Sequence, residues 1–298
     1  MGSGQVRLKL DGVLLLDKPV GPSSSAALQA VKRLLQADKA GHAGTLDPLA
    51  SVLQPLLIGE ATKFAQFGLD SVKEYVAGIR LGISTDTGDA EGAVLERHAV
   101  EVDDARLARA LERFRGEIGQ VPPMYSALKH GGQPLYALAR AGQTVERSTR
   151  QVTVHELELL GRTQDLVRVR VRCSKGTYVR QLATDLGIEL GTGAHLEALR
   201  RTAVGAYRLG QAVALDDLQA MSEEARRAWL LPPDSLLEAL PRIDLDEAQA
   251  ERFLHGQAVA REAPEGPCRV YREDGPLLGV GGAGPGNELR PVRLIARG

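Results

Sequence analysis

The chain has 298 residues, 43% hydrophobic, 25% charged and 4% aromatic, which is enough apolar material for a core and too little bias for a disordered chain. Lys and Arg total 37 against 38 Asp and Glu, and a formal charge of −1 is unlike that of a nucleic-acid binder. Cys173 and Cys268 are too few for a disulfide scaffold or a zinc ribbon, so a reducing, cytoplasmic setting is expected.

The first residues hold no apolar run of signal-peptide length, so export is not expected. Val13-Leu14-Leu15-Leu16, closed by Asp17-Lys18-Pro19, reads as a buried strand ending at a turn. Serines 23 to 25 supply N-cap oxygens, and Leu28, Val31, Leu34 and Leu35 fall at helical spacing, predicting an amphipathic helix that ends near Gln36. Gly41 to Pro48 carries two glycines and a proline and is expected to be an irregular loop. The longest uncharged apolar stretch, 48–59, is too short to cross a bilayer, so no membrane association is expected.

Further along, 61–67 reads as a short helix, 74–83 as a strand running into Thr87-Gly88-Asp89, and Leu107, Ala110, Leu111 and Phe114 mark another helix. From 116 to 150 glycines and prolines fall among Tyr125, Lys129, His130, Tyr136, Arg140, Arg147 and Arg150, the texture of a basic, mobile excursion with one short helix near 135–141. Segments 152–160 and 166–173 alternate as paired strands; helices are predicted over 178–190 and 194–201. Residues 225–240 read as a linker, and 242–298 as a small all-β module.

Three places can carry chemistry. In the 41–48 loop the glycines permit close backbone approach, His42 offers a ring, and Asp47 is held extended before Pro48, which presents a carboxylate. An ordinary turn accounts for the same spacing, and the loop is neither a Walker nor a dinucleotide fingerprint. Cys173 to Arg180 is a strand end turning into a helix, which can bring Tyr178 and Arg180 to a cleft rim or simply expose them. Tyr75, on a strand, suits a core or a functional role equally. Asp86, Asp89 and Glu91 lie close together but lack the spacing of a calcium loop, so no metal is expected.

Gly41-His42-Ala43-Gly44-Thr45-Leu46-Asp47-Pro48-Leu49-Ala50 resembles the catalytic motif of the TruB-type tRNA pseudouridine synthases. It is joined in order by 12–23, Gly59-Glu60-Ala61-Thr62-Lys63, 85–92, Pro122-Pro123-Met124-Tyr125-Ser126-Ala127, 173–180 and 193–202. The resemblance implies an α+β catalytic domain over 1–238, built on a mixed sheet with a basic lid at about 122–150, and a small β-rich PUA-like module over 239–298. It implies cofactor-free isomerisation of the T-loop uridine, tRNA position 55, by base flipping, in a protein that is expected to be a monomer. By resemblance Asp47 is the catalytic carboxylate, Arg180 its ion-pair partner, and Tyr75 the aromatic that stacks on the uracil and is a candidate for the final proton transfer. His42, Tyr178 and Leu199 match substrate-contacting positions, and Lys18, with Pro19, a motif that mainly supports the catalytic loop.

The sequence departs from the family pattern at Val52, where glycine is usual, and at Gln54, where an apolar residue is usual. A buried Gln54 would need hydrogen-bond partners. A non-catalytic RNA-binding protein and a metal-dependent phosphoester hydrolase using 86–91 are the rival readings. Charge divides by region: residues 1–104 hold 10 Lys/Arg and 14 Asp/Glu, residues 105–201 hold 16 and 9, and residues 202–298 hold 11 and 15. The near-zero total therefore hides a basic middle that a phosphate backbone would sense.

Overall fold

A computed structural model describes residues 8–44 and 49–295. The 13–16 run lies within Gly12–Lys18, a strand of an eleven-stranded mixed sheet. The main path of this sheet runs Val213–Ala214, Gly12–Lys18, Ser51–Ile58, Ala194–Val204, Lys73–Leu81, Leu166–Cys173, Arg150–Thr163, Gly116–Gln120. Two pairings are parallel, 213–214 with 12–18 and 194–204 with 51–58; the rest of this path is antiparallel.

Period-two alternation decides which face is covered. Val167, Val169 and Val171 are fully buried in one cluster with Leu182, Ala183 and Leu186 of the helix Val179–Glu189. Arg168, Arg170 and Arg172 alternate with them and point to the opposite face, where Arg172 pairs with Glu156 at 2.9 Å and Arg170 with Glu158. On the other half of the sheet, Leu14, Leu16, Leu56 and Ile58 pack against Ala27, Leu28 and Val31 of the helix Ser24–Leu34. Ser23 starts that helix as expected, its hydroxyl accepting from Ala26 N at 3.1 Å.

Four expectations are corrected. Residues 194–201, predicted as a helix, belong to the strand Ala194–Val204. A β-bulge explains the misreading. Leu196 pairs with Ile79, Ala198 with Gly78 and Leu199 with Ala77, so two residues oppose one, and the buried Leu196 and Leu199 share a face at a spacing of three. The 41–48 loop is regular at its start, because Ala40–His42 pairs antiparallel with Ile58 to Leu56. The 225–240 segment is folded in rather than a free linker: Leu230–Leu231 pairs with Leu14 and Val13, Tyr207 Oη donates to Ser235 Oγ at 2.8 Å, and Leu237 is fully buried. The C-terminal module is not all β, since the helix Glu247–Leu254 packs Ala250 and Phe253 into its core.

That module is a five-stranded sheet in the order Arg242–Leu245, Cys268–Arg272, Leu277–Ala283, Glu288–Leu294, Val259–Glu262. It is fastened to the larger sheet's body by Phe64, Leu237 and Val280, by Lys63 Nζ donating to Leu294 O at 2.9 Å, and by the Tyr271 hydroxyl donating to Asp234. The 122–150 excursion contains the hairpin Lys129–His130 with Gln133–Pro134 and the helix Leu135–Arg140. Gly131 and Gly132 turn the hairpin at φ +56° and +85°, as a two-residue turn of this hand requires. No helix among the described residues is long and apolar enough to cross a membrane.

Candidate active site

A cavity of about 250 Å³ opens where the 73–81 and 194–204 strands meet the turn before Val179–Glu189. Tyr75, Leu199 and Arg201 line it from the two strands, Tyr178 and Arg180 from the turn and helix start, and Ser126 and Ala127 from the beginning of the 122–150 excursion. Gly44 borders it on the loop side. Tyr75 and Arg201 are cross-strand partners and Leu199 pairs with Ala77, so pleating places all three side chains on one face.

Of the residues singled out from sequence, Tyr75, Tyr178, Arg180 and Leu199 therefore converge on one cavity. Asp47 lies outside the described residues, together with Thr45, Leu46 and Pro48. His42 ends the short strand two residues before Gly44 and is not part of the cavity wall. Its Nδ1 is buried, with no hydrogen-bond partner among the described residues. Burial pushes its pKa down, the Gly44 backbone opposes this, and the Arg201 charge adds to it. Lys18 is fully buried away from the wall and donates from Nζ to Pro19 O at 2.7 Å and Pro22 O at 3.0 Å, tying the turn that follows the 12–18 strand.

Arg180 is held from several sides. Nη2 donates to Tyr125 O at 2.8 Å, Nη1 donates to Thr87 O at 3.2 Å, and Nη1 pairs with Asp89 Oδ2 at 3.3 Å. Asp89 in turn accepts from Thr87 Oγ1 at 2.6 Å and from Glu91 N at 3.1 Å. Asp86 accepts from Ala93 N at 2.8 Å. The acidic cluster at 86–91 is thus used in closing a turn and in pairing with Arg180, and among the described residues no group of acidic, His and Cys side chains is placed to hold a metal ion. Tyr178 is fixed through its backbone, donating to Gln120 Oε1 at 3.0 Å and accepting from Gln120 Nε2 at 3.1 Å.

Three functional candidates escaped sequence reasoning: Asp89 as a partner of Arg180, Lys73 and Arg201. Arg201 is 2% exposed, donates from Nε to Leu53 O at 2.9 Å, and pairs with no carboxylate among the described residues. Gly44 has φ +105°, and a Cβ there would lie 3.8 Å from Arg201 Nη1, so the guanidinium reaches from the sheet to the loop. Burial raises the Tyr75 hydroxyl pKa, and the Arg201 charge opposes that rise. Lys73 donates to the carbonyls of Gly68, Leu69 and Ser71, and its pKa is lowered to about 8, first by burial and then by Arg201. Counting forward by two from Leu199 reaches Arg201, but only once 194–204 is read as a strand.

Solved structures share this architecture over most of the chain. A crystal structure of a Cbf5-Nop10-Gar1 complex matches with a TM-score of 0.72 at 28% identity, covering 91% of this chain and 78% of the other. An H/ACA RNP bound to a substrate RNA containing 2'-deoxyuridine matches with 0.70 at 26% identity, over the same shares. Family models cover most of the sequence: the N-terminal domain of the TruB family pseudouridylate synthases over residues 32–179, the tRNA pseudouridylate synthase B C-terminal domain over 180–238, and the C-terminal part of pseudouridine synthase II TruB over 241–295. Fold and sequence together define a pseudouridine synthase, an isomerase with an α+β catalytic sheet and a β-rich C-terminal module.

Relatives narrow this further. Proteins named tRNA pseudouridine synthase B from Burkholderia mallei and Aromatoleum aromaticum are 56% and 54% identical, covering 98% and 96% of this chain and 99% and 93% of their own. The chain belongs to the TruB family.

Proposed function

We propose that the chain converts the uridine at position 55 of the tRNA T-loop to pseudouridine, acting in the cytoplasm as a monomer and without metal or cofactor. The observation that carries this reading is the meeting of Tyr75, Arg180 and Leu199 with Gly44, the last described residue before Asp47, on one small cavity. The reaction breaks a C–N glycosidic bond, turns the uracil over and rejoins it through carbon. The base must therefore be held without escaping, which a walled cavity serves.

Asp47 supplies the carboxylate, by attack at C6, by attack at C1′, or by removing a sugar proton. Arg180, anchored by Asp89 and two backbone carbonyls, is the cation that keeps that carboxylate ionised. Tyr75 and Tyr178 supply aromatic surface to a base flipped from the loop, which helps offset unstacking. Tyr75 is also the candidate for the final proton transfer. Its hydroxyl, made reluctant to ionise by burial, is countered by Arg201. His42 contacts the opened RNA loop, and Lys18 holds the turn beneath the catalytic loop. Residues 1–238 form the catalytic domain, 122–150 a lid, and 239–298 an RNA-contacting module.

Chemical mapping of pseudouridine in an unmodified tRNA transcript tests the assignment. A single new modification at position 55, lost when that uridine is changed to cytidine, is expected; modification elsewhere, or none, would refute it.

A further inference from the structure

Ser126 is 5% exposed and belongs to the cavity wall, yet its Oγ is buried and has no hydrogen-bond partner among the described residues. Buried polar groups are nearly always paired, so a hydroxyl left over beside an open cavity points to a partner that arrives with a ligand. Its neighbourhood is otherwise firmly built. Ser126 N donates to Met124 O at 2.9 Å, Ser126 O accepts from Tyr136 N at 3.0 Å, and the preceding carbonyl, Tyr125 O, accepts from Arg180 Nη2 at 2.8 Å. The backbone that carries the hydroxyl is therefore pinned on one side by the cation of the active site and on the other by the lid helix 135–140.

Beside its cations Lys73, Arg180 and Arg201, the wall offers aromatic and aliphatic surface from Tyr75, Tyr178, Val179 and Leu199. Such surfaces hold a ring by its faces and say nothing about its edge. A uracil presents two carbonyl oxygens at its edge, and a serine hydroxyl is a donor suited to one of them. We propose that Ser126 is a substrate-binding residue that donates a hydrogen bond from Oγ to a carbonyl oxygen of the flipped uracil, linking occupancy of the cavity to the lid through Tyr136. This rests on the pseudouridine synthase reading above.

The test compares full-length wild type, Ser126→Ala and Ser126→Thr on tRNA transcripts carrying uridine, 2-thiouridine or 4-thiouridine at the target position, with thermal unfolding of each protein alongside. Sulfur is a poorer acceptor than oxygen. Wild type is expected to lose about tenfold in kcat/KM with one of the two thio bases. Ser126→Ala should show that loss already on uridine, should lose nothing further with that thio base, and should unfold no earlier than wild type, because an unpartnered hydroxyl contributes no stability. Ser126→Thr should restore turnover. Unchanged kcat/KM in Ser126→Ala, an undiminished thio effect in it, or a drop in Tm with no rescue by threonine would each overturn the proposal. Wild type that converts no uridine in the same assay would instead bring down the parent reading along with it.

Discussion

Arg180 and Asp89 form an ion pair at 3.3 Å with only 7% and 5% of their side chains exposed. Because Asp89 also accepts from Thr87 Oγ1 and Glu91 N, the carboxylate is itself held in place, and the guanidinium is aimed rather than merely neutralised. Removing one member of a buried ion pair typically costs about 3–5 kcal/mol. Asp89→Asn keeps the shape and some hydrogen bonds, so the expected result is a fall in single-turnover rate of roughly 10²-fold with a smaller loss of tRNA affinity. Wild-type rates in this variant would separate Asp89 from the chemistry.

Arg201 stands in a different position, a buried cation without a carboxylate partner among the described residues. Desolvating such a charge is costly, and apolar replacements of buried ionic groups are often neutral or stabilising. Arg201→Met should therefore keep or raise Tm while lowering turnover about 10²-fold, since the charge opposite Tyr75 is lost. Thermal unfolding and turnover measured on the same preparation check this; a parallel loss of both would make Arg201 a scaffold residue.

Lys73 titrates near pH 8 in the folded chain, below its ordinary value of 10.5. The unfolded chain then binds more protons than the folded one between those values, so stability rises as pH climbs from 8 to 10.5 and is lost as pH falls through 8. The stability difference between wild type and Lys73→Met should shift in favour of wild type by up to roughly 3 kcal/mol across that window, read by denaturant unfolding at a series of pH values. A difference that stays flat with pH would contradict it.

Gln54 bears out the concern raised by its unusual place. It is 1% exposed, Nε2 donates to Ser24 O at 3.1 Å, and Oε1 has no partner among the described residues. Gln54→Leu exchanges an unsatisfied acceptor for apolar packing and should stabilise by about 1 kcal/mol without changing turnover. A destabilised variant would show that Oε1 is satisfied in solution.

The sheet, the first helix and the turn into the 179–189 helix were legible because their signals are local: alternation in 166–173, capping serines before Leu28, and a turn after Cys173. What was not legible depends on register. The bulge opposite Gly78 turned a strand's spacing of two into three and imitated a helix over 194–201. The same ambiguity hid Arg201, whose face becomes clear once 194–204 is read as a strand running opposite Tyr75. Asp89 was weighed only as a metal-loop residue, which its spacing disfavoured, because a carboxylate's partner 91 residues away in sequence, Arg180, leaves no local trace. The helix 247–254 was missed because only Ala250 and Phe253 of its eight residues are buried, too few to show a period against the surrounding glycines and prolines.

Under the proposed function the Asp47 carboxylate, served by the cavity around Tyr75 and Arg180, performs the isomerisation. Release of tritium from tRNA labelled at uracil C5 reads the reaction directly, because rejoining through that carbon expels its hydrogen. Wild type should release one tritium per tRNA, and Asp47→Asn, bound to the same tRNA, should release none. Turnover retained in Asp47→Asn, or no release by wild type, would contradict the account.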